Sequence, residues 1–315
     1  MGNYTVATRR SRLALEQTRL VVQMLRSERP TRINILKISS SGDLDVRPLY
    51  SFERKGIFEK EIDQAVIDRY ADFAVHSAKD VPTELFLDLT LASVPPRSGA
   101  NDVLIHRNGL KLNELPSGTI IGTSSLRRAI QLLRTRAELV VKPIRGNIET
   151  RIRKVETGTY DAIILAEAGL ERLGLTRYIT ERFNIMDFVP AAGQGALALI
   201  CRKDRQDLLD VLKRVEDPRS RAELEAERSV LSVVESGCKF PLGVVAVSNE
   251  NTNILTLFAK AFSADGSDQI FVTENGRIEE ARMIGIKAGQ KLLDKGIVDF
   301  SQSWESALGN WDNLK

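Results

Sequence analysis

The sequence predicts an α/β protein with two matching lobes, a hinged cleft between them and a smaller α+β domain at the C-terminal end. Three observations predict it. Short apolar strands alternate with amphipathic helices up to about residue 200. One strand–turn–helix plan recurs in the two halves of that region, and the texture changes near residue 217. The 315 residues leave room for more than one core.

The first unit is "YTVATRRSRLALEQTRLVVQML". It reads as a strand, a turn Thr8-Arg9-Arg10-Ser11, and a helix whose Leu13, Leu20, Val21 and Met24 fall close to helical spacing. "ADFAVHSAKDVP" is a strand that runs out into His76-Ser77-Ala78-Lys79-Asp80. "GTIIGTSSLRRAIQLLRT" repeats the first plan, its helix opening on Arg127 and Arg128. "YDAIILAEAGLERLGL" is a strand followed by a helix that carries Arg172. Such alternation predicts mainly parallel sheets. Val6-Ala7-Thr8 pairs with Ile121-Gly122-Thr123, and Tyr70-Ala71-Asp72 with Tyr160-Asp161, each before an apolar strand. The first lobe is expected over 1–95, with 196–214 returning to it through the strand-like run in "VPAAGQGALALICR". The second lobe is expected over 100–190, and Pro95, Pro96, Ser98 and Gly99 punctuate the boundary. Strand ends would then face the cleft, where open α/β sheets bind ligands. The third domain, 217–315, should hold a helix after Pro218, strands near 244–247, 253–262 and 269–273, and a helix over 278–294.

Composition excludes several classes. Hydrophobic residues make up 43 % and charged residues 28 %, as in an ordinary soluble globular protein. No apolar run approaches the roughly 20 residues of a membrane span. "MGNYTVATRRS" has no apolar signal core, so the expected location is the cytoplasm. Two cysteines form neither a disulfide framework nor a zinc site, and His76 and His106 show no ligand pattern. A net charge of +3 does not point to nucleic acid. Cys201, inside an apolar run, reads as a core residue. Cys238, in "ESGCKFPLG", sits on a turn where it can react.

The loops after the strands are rich in cations and small polar groups: Arg9, Arg10 and Ser11; Thr123, Ser124 and Ser125 before Arg127 and Arg128; then Arg145, Gly146, Asn147 and Arg151. Taken singly, each arginine reads as solvated surface. Arginine at a helix start opposes the helix dipole, so its recurrence there predicts an anion opposite. Guanidinium groups fork onto carboxylate or phosphate. There is no GK[ST] phosphate loop and no G-x-G-x-x-G, and Gly193 and Gly195 open no nucleotide unit. A ligand with several carboxylates fits better. Asp80 at a strand end among cations would stay ionised and could stabilise a developing positive charge. The plainer reading of Lys79-Asp80 is a turn-capping surface pair.

Eight motifs in register, "ATRRS", "KGIFEKE", "ADFAVHSAKDVP", "GTSSLRR", "RGNIETR", "YDAIILAEAGLERLGL", "PAAGQGALA" and "SGCKFPLG", closely resemble the porphobilinogen deaminase (hydroxymethylbilane synthase) family across nearly the whole chain. The resemblance implies three domains, the first two similar to periplasmic-binding-protein lobes. It implies a dipyrromethane cofactor held through a thioether on Cys238. Four porphobilinogen molecules are added in turn, each losing ammonia, and hydrolysis then releases hydroxymethylbilane for tetrapyrrole and heme biosynthesis. By the same resemblance Asp80 is catalytic. Lys79, Ser124, Ser125, Arg127, Arg128 and Arg145 bind the cofactor, and Arg9, Ser11, Arg151, Arg172, Lys55 and Phe58 bind substrate. A monomer without nucleic-acid or membrane partners is implied. Ser51, Ser236, Lys239 and Phe240 depart from the family pattern. The competing reading is a non-catalytic two-lobed sensor of an anionic ligand. Cys238 together with Asp80 argues against it, because reversible binding needs neither.

Overall fold

The computed structural model describes residues 2–39, 59–234, 241–300 and Trp304. Ser51, Lys55, Phe58, Ser236, Cys238, Lys239 and Phe240 lie outside the described residues. Three sheets organise the described residues. The first contains β1 (Asn3–Arg9), β2 (Arg32–Ile38), β3 (Phe73–Ser77), β4 (Leu89–Ser93) and β10 (Leu197–Arg202), in the order β2-β1-β3-β10-β4. The second contains β5 (Asp102–His106), β6 (Ile120–Gly122), β7 (Val140–Lys142), β8 (Ala162–Ala166) and β9 (Glu181–Arg182), in the order β7-β6-β8-β5-β9. The third is an antiparallel meander of β11 (Leu242–Ser248), β12 (Ile254–Phe262) and β13 (Gln269–Arg277).

The two large sheets are mixed, not mainly parallel. β1 runs parallel to β2 and β3, and β6 runs parallel to β7 and β8. β10 runs antiparallel to β3 and β4, and β5 antiparallel to β8 and β9. β5 and β10 are the strands that arrive from the two inter-lobe crossings. Each reaches its sheet straight from the other lobe, without the crossover helix that makes successive strands parallel.

The duplication seen in the sequence has a physical counterpart. Asp72, just before β3, accepts the Thr5 N–H through its side chain (2.7 Å) and donates its own N–H to the Thr5 carbonyl (2.8 Å). Asp161, just before β8, does the same with Ile120 at 2.9 and 3.0 Å. Each aspartate also pairs with an arginine that follows the antiparallel strand: Asp72 with Arg205 (2.8 Å) and Asp161 with Arg107 (2.9 Å).

Helix α1 (Arg12–Glu28) starts on Ser11, whose hydroxyl accepts the Ala14 N–H at 3.3 Å. It buries Ala14, Gln17, Thr18, Val21, Val22 and Leu25. Leu13, Leu20 and Met24 flank that stripe and are half-buried, with Leu13 packed against the core of the second lobe. In the third domain, α7 (Pro218–Val234) begins on Pro218 itself, with the Asp217 side chain accepting the Ser220 N–H at 2.7 Å. Proline at the first helical position leaves unmade only a bond that no residue could make there. Both β11 and β13 run longer than the sequence reading; in β13 the added Asn275 and Arg277 are exposed polar residues that continue the alternation beyond the apolar run. A final helix (Ala281–Asp294) packs on α7.

The third domain is fastened to both crossings by one buried carboxylate. Glu227, on α7, is fully buried. It accepts hydrogen bonds from Arg97 (2.7 and 3.3 Å) in the first crossing, Gly193 N (2.6 Å) in the second, and Ala246 N (2.8 Å) on β11. Arg97 also donates to the Gln194 carbonyl (2.9 Å) and to Glu223 (3.3 Å). Deleting one partner of a buried pair leaves the other uncompensated, at a cost of about 3–5 kcal/mol. Glu227→Ala should lose that much in urea unfolding, whereas Glu225→Ala, an exposed site two residues away on the same helix, should change stability by less than about 0.5 kcal/mol. Equal losses would mean that the junction is not held by this pair.

Candidate functional site

β3 ends at Ser77, and Ala78–Asp80 close a single 3-10 turn with Val81 N donating to Ala78 O (3.3 Å). Two contacts fix that turn. Gln17 from α1 donates to the Ser77 hydroxyl (2.9 Å), and Ala78 N donates to Ala196 O (3.0 Å). Gly193 lies against the turn with φ +73°, and a Cβ there would stand 2.8 Å from both Ala78 C and Lys79 N. Glycine is required at this point for its backbone conformation and for the close approach. Beneath the turn, His76 and Asp63 form a buried pair at 2.9 Å, Asp63 coming from α2 (Lys60–Ile67).

Asp80 is half-buried, and among the described residues no hydrogen bond or ion pair occupies its carboxylate. Its neighbours are charged. Glu59, almost fully buried at the start of α2, is pushed up to about 9, first by burial and then by the charge of Asp80, with Asp63 adding and Arg9 opposing. A carboxyl raised this far holds its proton at neutral pH. Lys79 is reached by solvent but surrounded by protein. It is lowered to about 8, mainly by desolvation and further by Arg128 and Arg127, while Asp80 and Asp102 oppose the shift.

Arg127 and Arg128 open α3 (Leu126–Thr135), as the sequence reading has it, but their anion is internal. Asp102, the first residue of β5, is fully buried and takes Arg127 Nη1 at 2.7 Å and Arg128 Nε and Nη2 at 2.9 and 2.7 Å. Burial alone would raise the Asp102 carboxyl. The two arginines, by charge and hydrogen bonding, hold it at about 2. Arg127 also donates to Val189 O (2.7 Å) and Arg128 to Gln194 Oε1 (3.3 Å). The expectation that an external anion must face these two side chains is corrected on this point: the chain supplies the first counter-ion itself.

Ser124 is buried and spent on structure, donating to Ile144 O (2.7 Å) and accepting Ile144 N (3.0 Å). That double bond sets the loop from which Arg145 projects. Ser125 stands at the start of α3 with no side-chain capping bond. Asn147 caps α4 (Ile148–Glu156) through Thr150 N at 2.8 Å, which places Arg151 on the first turn. Arg151 donates to Gly146 O (2.7 Å) and is lowered to about 10 by burial and by the like charges of Arg128 and Arg145, with no carboxylate among the causes. Arg172, on α5 (Glu167–Leu173), donates Nη2 to Gly195 O (2.5 Å). Its Nε is buried without a partner among the described residues, and burial lowers the group to about 10 against the pull of Glu171. Arg9 is half-buried at the end of β1, close enough to Glu59 to act on its charge. Ser11 serves as the α1 cap. Cys201 is fully buried in the first-lobe core, its thiol pushed up to about 11 by burial.

The structure thus draws Lys79, Asp80, Arg127 and Arg128 into one electrostatic group and Arg128, Arg145 and Arg151 into an adjoining one. Arg151, crowded by the like charges of Arg128 and Arg145, suits a ligand bearing several carboxylates, and the Asp80 carboxylate, unpaired among the described residues, suits a cation. No group of three or more His, Cys, Asp or Glu among the described residues is placed to hold a metal. Sequence reading missed Asp102, Gln194 and Glu59. Asp102 had one signal: a charged residue opening the otherwise apolar run "VLI".

A family profile described as porphobilinogen deaminase, dipyromethane cofactor binding domain, matches residues 4–210, and the family's C-terminal domain matches 222–294. The chain belongs to the porphobilinogen deaminase family. A probable porphobilinogen deaminase of Nitrosopumilus maritimus is 46 % identical over 98 % of this chain and 99 % of its own. The porphobilinogen deaminase of Brevibacillus brevis is 42 % identical over 95 % and 96 %. A Salmonella typhimurium periplasmic binding protein of high arginine specificity matches over 70 % of this chain and 94 % of its own, at 14 % identity and a TM-score of 0.42. All the described candidate residues fall inside the span matched to the cofactor-binding domain, and the orphan Nε of Arg172 and the repelling Arg128–Arg145–Arg151 group fit a cofactor with acidic side chains.

Lysine is protonated below its pKa, so Lys79 should be a full cation below about pH 8 and lose its charge above it. Amine-reactive labelling of the apoprotein, read peptide by peptide by mass spectrometry across pH 6–11, should show Lys79 reaching half-maximal reactivity near 8. An ordinary lysine titrates near 10.4. Lys79 labelling in step with the surface lysines would contradict the desolvated setting.

Proposed function

We propose that the chain acts as a hydroxymethylbilane synthase. It would condense four porphobilinogen molecules in sequence, each with loss of ammonia, onto a dipyrromethane primer, and release hydroxymethylbilane by hydrolysis. The observation that carries the reading is the Asp80 carboxylate, unpaired among the described residues, in a chain of this family whose Arg151 likewise has no carboxylate partner among them. When bound, the primer supplies the pyrrole carbon that attacks the incoming unit. Cys238 is the residue we assign to its attachment, since a thiolate is the better nucleophile near neutral pH.

The chain's own residues then divide the work. Arg145, Arg151 and Arg172 take acetate and propionate groups through forked bonds. Arg127 and Arg128 form the floor of the site, with Asp102 neutralising part of their charge and fixing their planes. Arg9 and Ser11 border the substrate side, and Lys79 adds a cation whose strength falls above about pH 8. As ammonia leaves porphobilinogen, positive charge develops on the pyrrole nitrogen, and Asp80 is placed to stabilise it. Glu59 keeps its proton and so puts no second negative charge beside the Asp80 carboxylate. A cytoplasmic monomer is part of this reading. Among the described residues no helix is long and apolar enough to cross a membrane.

Two experiments test the proposal. The intact mass of the purified protein should exceed the chain mass by two linked pyrrole units. Cys201→Ser should keep that increment and Cys238→Ser should lose it. A Cys238→Ser protein that retains it would place the attachment elsewhere. In single-turnover assays of cofactor-loaded protein, Asp80→Asn should slow the chemical step by about 100- to 1,000-fold. Asp80→Glu keeps the charge and should be slowed less, although misplacement by ~1 Å can itself cost about 100-fold. Near wild-type turnover in the Asn variant would return Asp80 to a turn-capping role.

A further inference from the structure

A second cationic cavity lies outside the cleft, between the first lobe and the third domain. It has a volume of about 260 Å³ and is lined by Arg221, Arg228 and Ser232 of α7, Arg282 of the final helix, and Thr83 from the segment that follows Asp80. Among the described residues of the lining Glu225 is the only acidic one, so these walls carry a net charge of +2 from three arginines and one glutamate. Like charges brought this close destabilise one another unless an anion intervenes.

The hydrogen bonds show how much of that charge the chain satisfies. Arg221 uses one nitrogen, Nη1, on Leu91 O (3.1 Å) and Glu216 (3.3 Å). Arg228 donates only to neutral acceptors: Val81 O (3.3 Å), Pro82 O (2.8 Å) and Thr83 O (2.8 Å). No carboxylate compensates it. Burial depresses the group and the charge of Arg221 depresses it further, with nothing acting the other way. Arg282 is exposed, and no partner among the described residues holds its guanidinium.

We propose that this cavity binds a small polyvalent oxyanion, of the size and charge of phosphate or a short dicarboxylate, through the free N–H groups of Arg221, Arg228 and Arg282. The site is distinct from the cleft and does not depend on the function proposed above. It touches the cleft at one place. Arg228 both lines the cavity and holds the carbonyls of residues 81–83, which follow directly on Asp80. An anion that draws the Arg228 guanidinium toward itself shifts the acceptor bonds of that segment, so occupancy should be felt at the turn bearing Asp80.

The test is thermal unfolding of the full-length protein with inorganic phosphate or succinate against chloride at constant ionic strength. The cleft also binds anions, so three variants separate the sites. Arg282→Ala removes an exposed donor, Ser232→Asp puts a carboxylate into the cavity from an exposed position, and Arg151→Leu weakens the cleft alone. The expected result is a rise in midpoint of several degrees with at least one of the two anions in wild type. Arg151→Leu should keep that rise, and Arg282→Ala and Ser232→Asp should both lose most of it. No rise in wild type with either anion would overturn the proposal, as would a rise that survives in both cavity variants or disappears only in Arg151→Leu.

Discussion

The buried charge of Asp102 is the constraint on which the rest of the site depends. It is the first residue after the first crossing, and it holds the two arginines that open α3. Through them it reaches the second crossing, because Arg127 donates to Val189 O and Gln194 donates to both Asp102 (2.9 Å) and Ala100 O (2.7 Å). Gln131, one turn further along α3, accepts Val189 N at 2.8 Å. A single carboxylate therefore ties the helix that faces the cleft to both segments that join the lobes. An ion pair of this kind contributes little net stability once desolvation is counted, yet removing one member is expensive. Its contribution here is geometric: the guanidinium planes are set before any ligand arrives, so binding costs less ordering.

The crossings are built to pass close to the turn that bears Asp80. Gly193 and Gly195 both adopt left-handed backbone, and a side chain on Gly195 would collide with Ser98 O in the other crossing. The same stretch gives its Gly193 N–H to Glu227 and its Gln194 carbonyl to Arg97. The turn that bears Asp80, the two crossings and the third domain are thus one bonded unit. The lobes also meet away from the crossings, where Arg12 pairs with Glu149 at 3.1 Å on the surface. That exposed pair is a weak contact beside the buried junction.

Much of this was legible in the sequence, for identifiable reasons. The strand–turn–helix repeats rest on local periodicity, which a single sequence displays. The pairing of Tyr70-Ala71-Asp72 with Tyr160-Asp161 marked real equivalents, since both aspartates bind the strand next to their own. Strand direction was not legible. Whether β5 and β10 run with or against their neighbours depends on which lobe the chain has just left, and no local signal records that. The stripe on α1 was displaced because the helix packs Gln17 and Thr18 inward, using their polar atoms on Ser77 and on the helix backbone, and turns Leu13 toward the other lobe. The arginines of α3 were recognised as anion binders, but not the anion. Asp102 lies 25 residues before Arg127, and only the fold brings the two together. Glu59 was invisible for the same reason: its protonation comes from burial beside Asp80, not from its own neighbours in the chain.

The central claim is that the arginines of the cleft fall into two kinds: Arg127 and Arg128, whose charge Asp102 partly neutralises and which hold the frame, and Arg151 with Arg172, left for the ligand. The most direct measurement compares Arg127→Leu with Arg151→Leu in matched preparations, recording the free energy of urea unfolding of the apoprotein and the fraction of chains that carry the cofactor mass. Arg127→Leu should lose about 3–5 kcal/mol, because a buried charge pair is broken. Arg151→Leu should stay within about 1 kcal/mol of wild type in unfolding while losing occupancy or turnover, since each charge-assisted contact is worth roughly 1.5–3 kcal/mol. An Arg127→Leu protein as stable as wild type, or an Arg151→Leu protein as unstable as Arg127→Leu, would contradict the division.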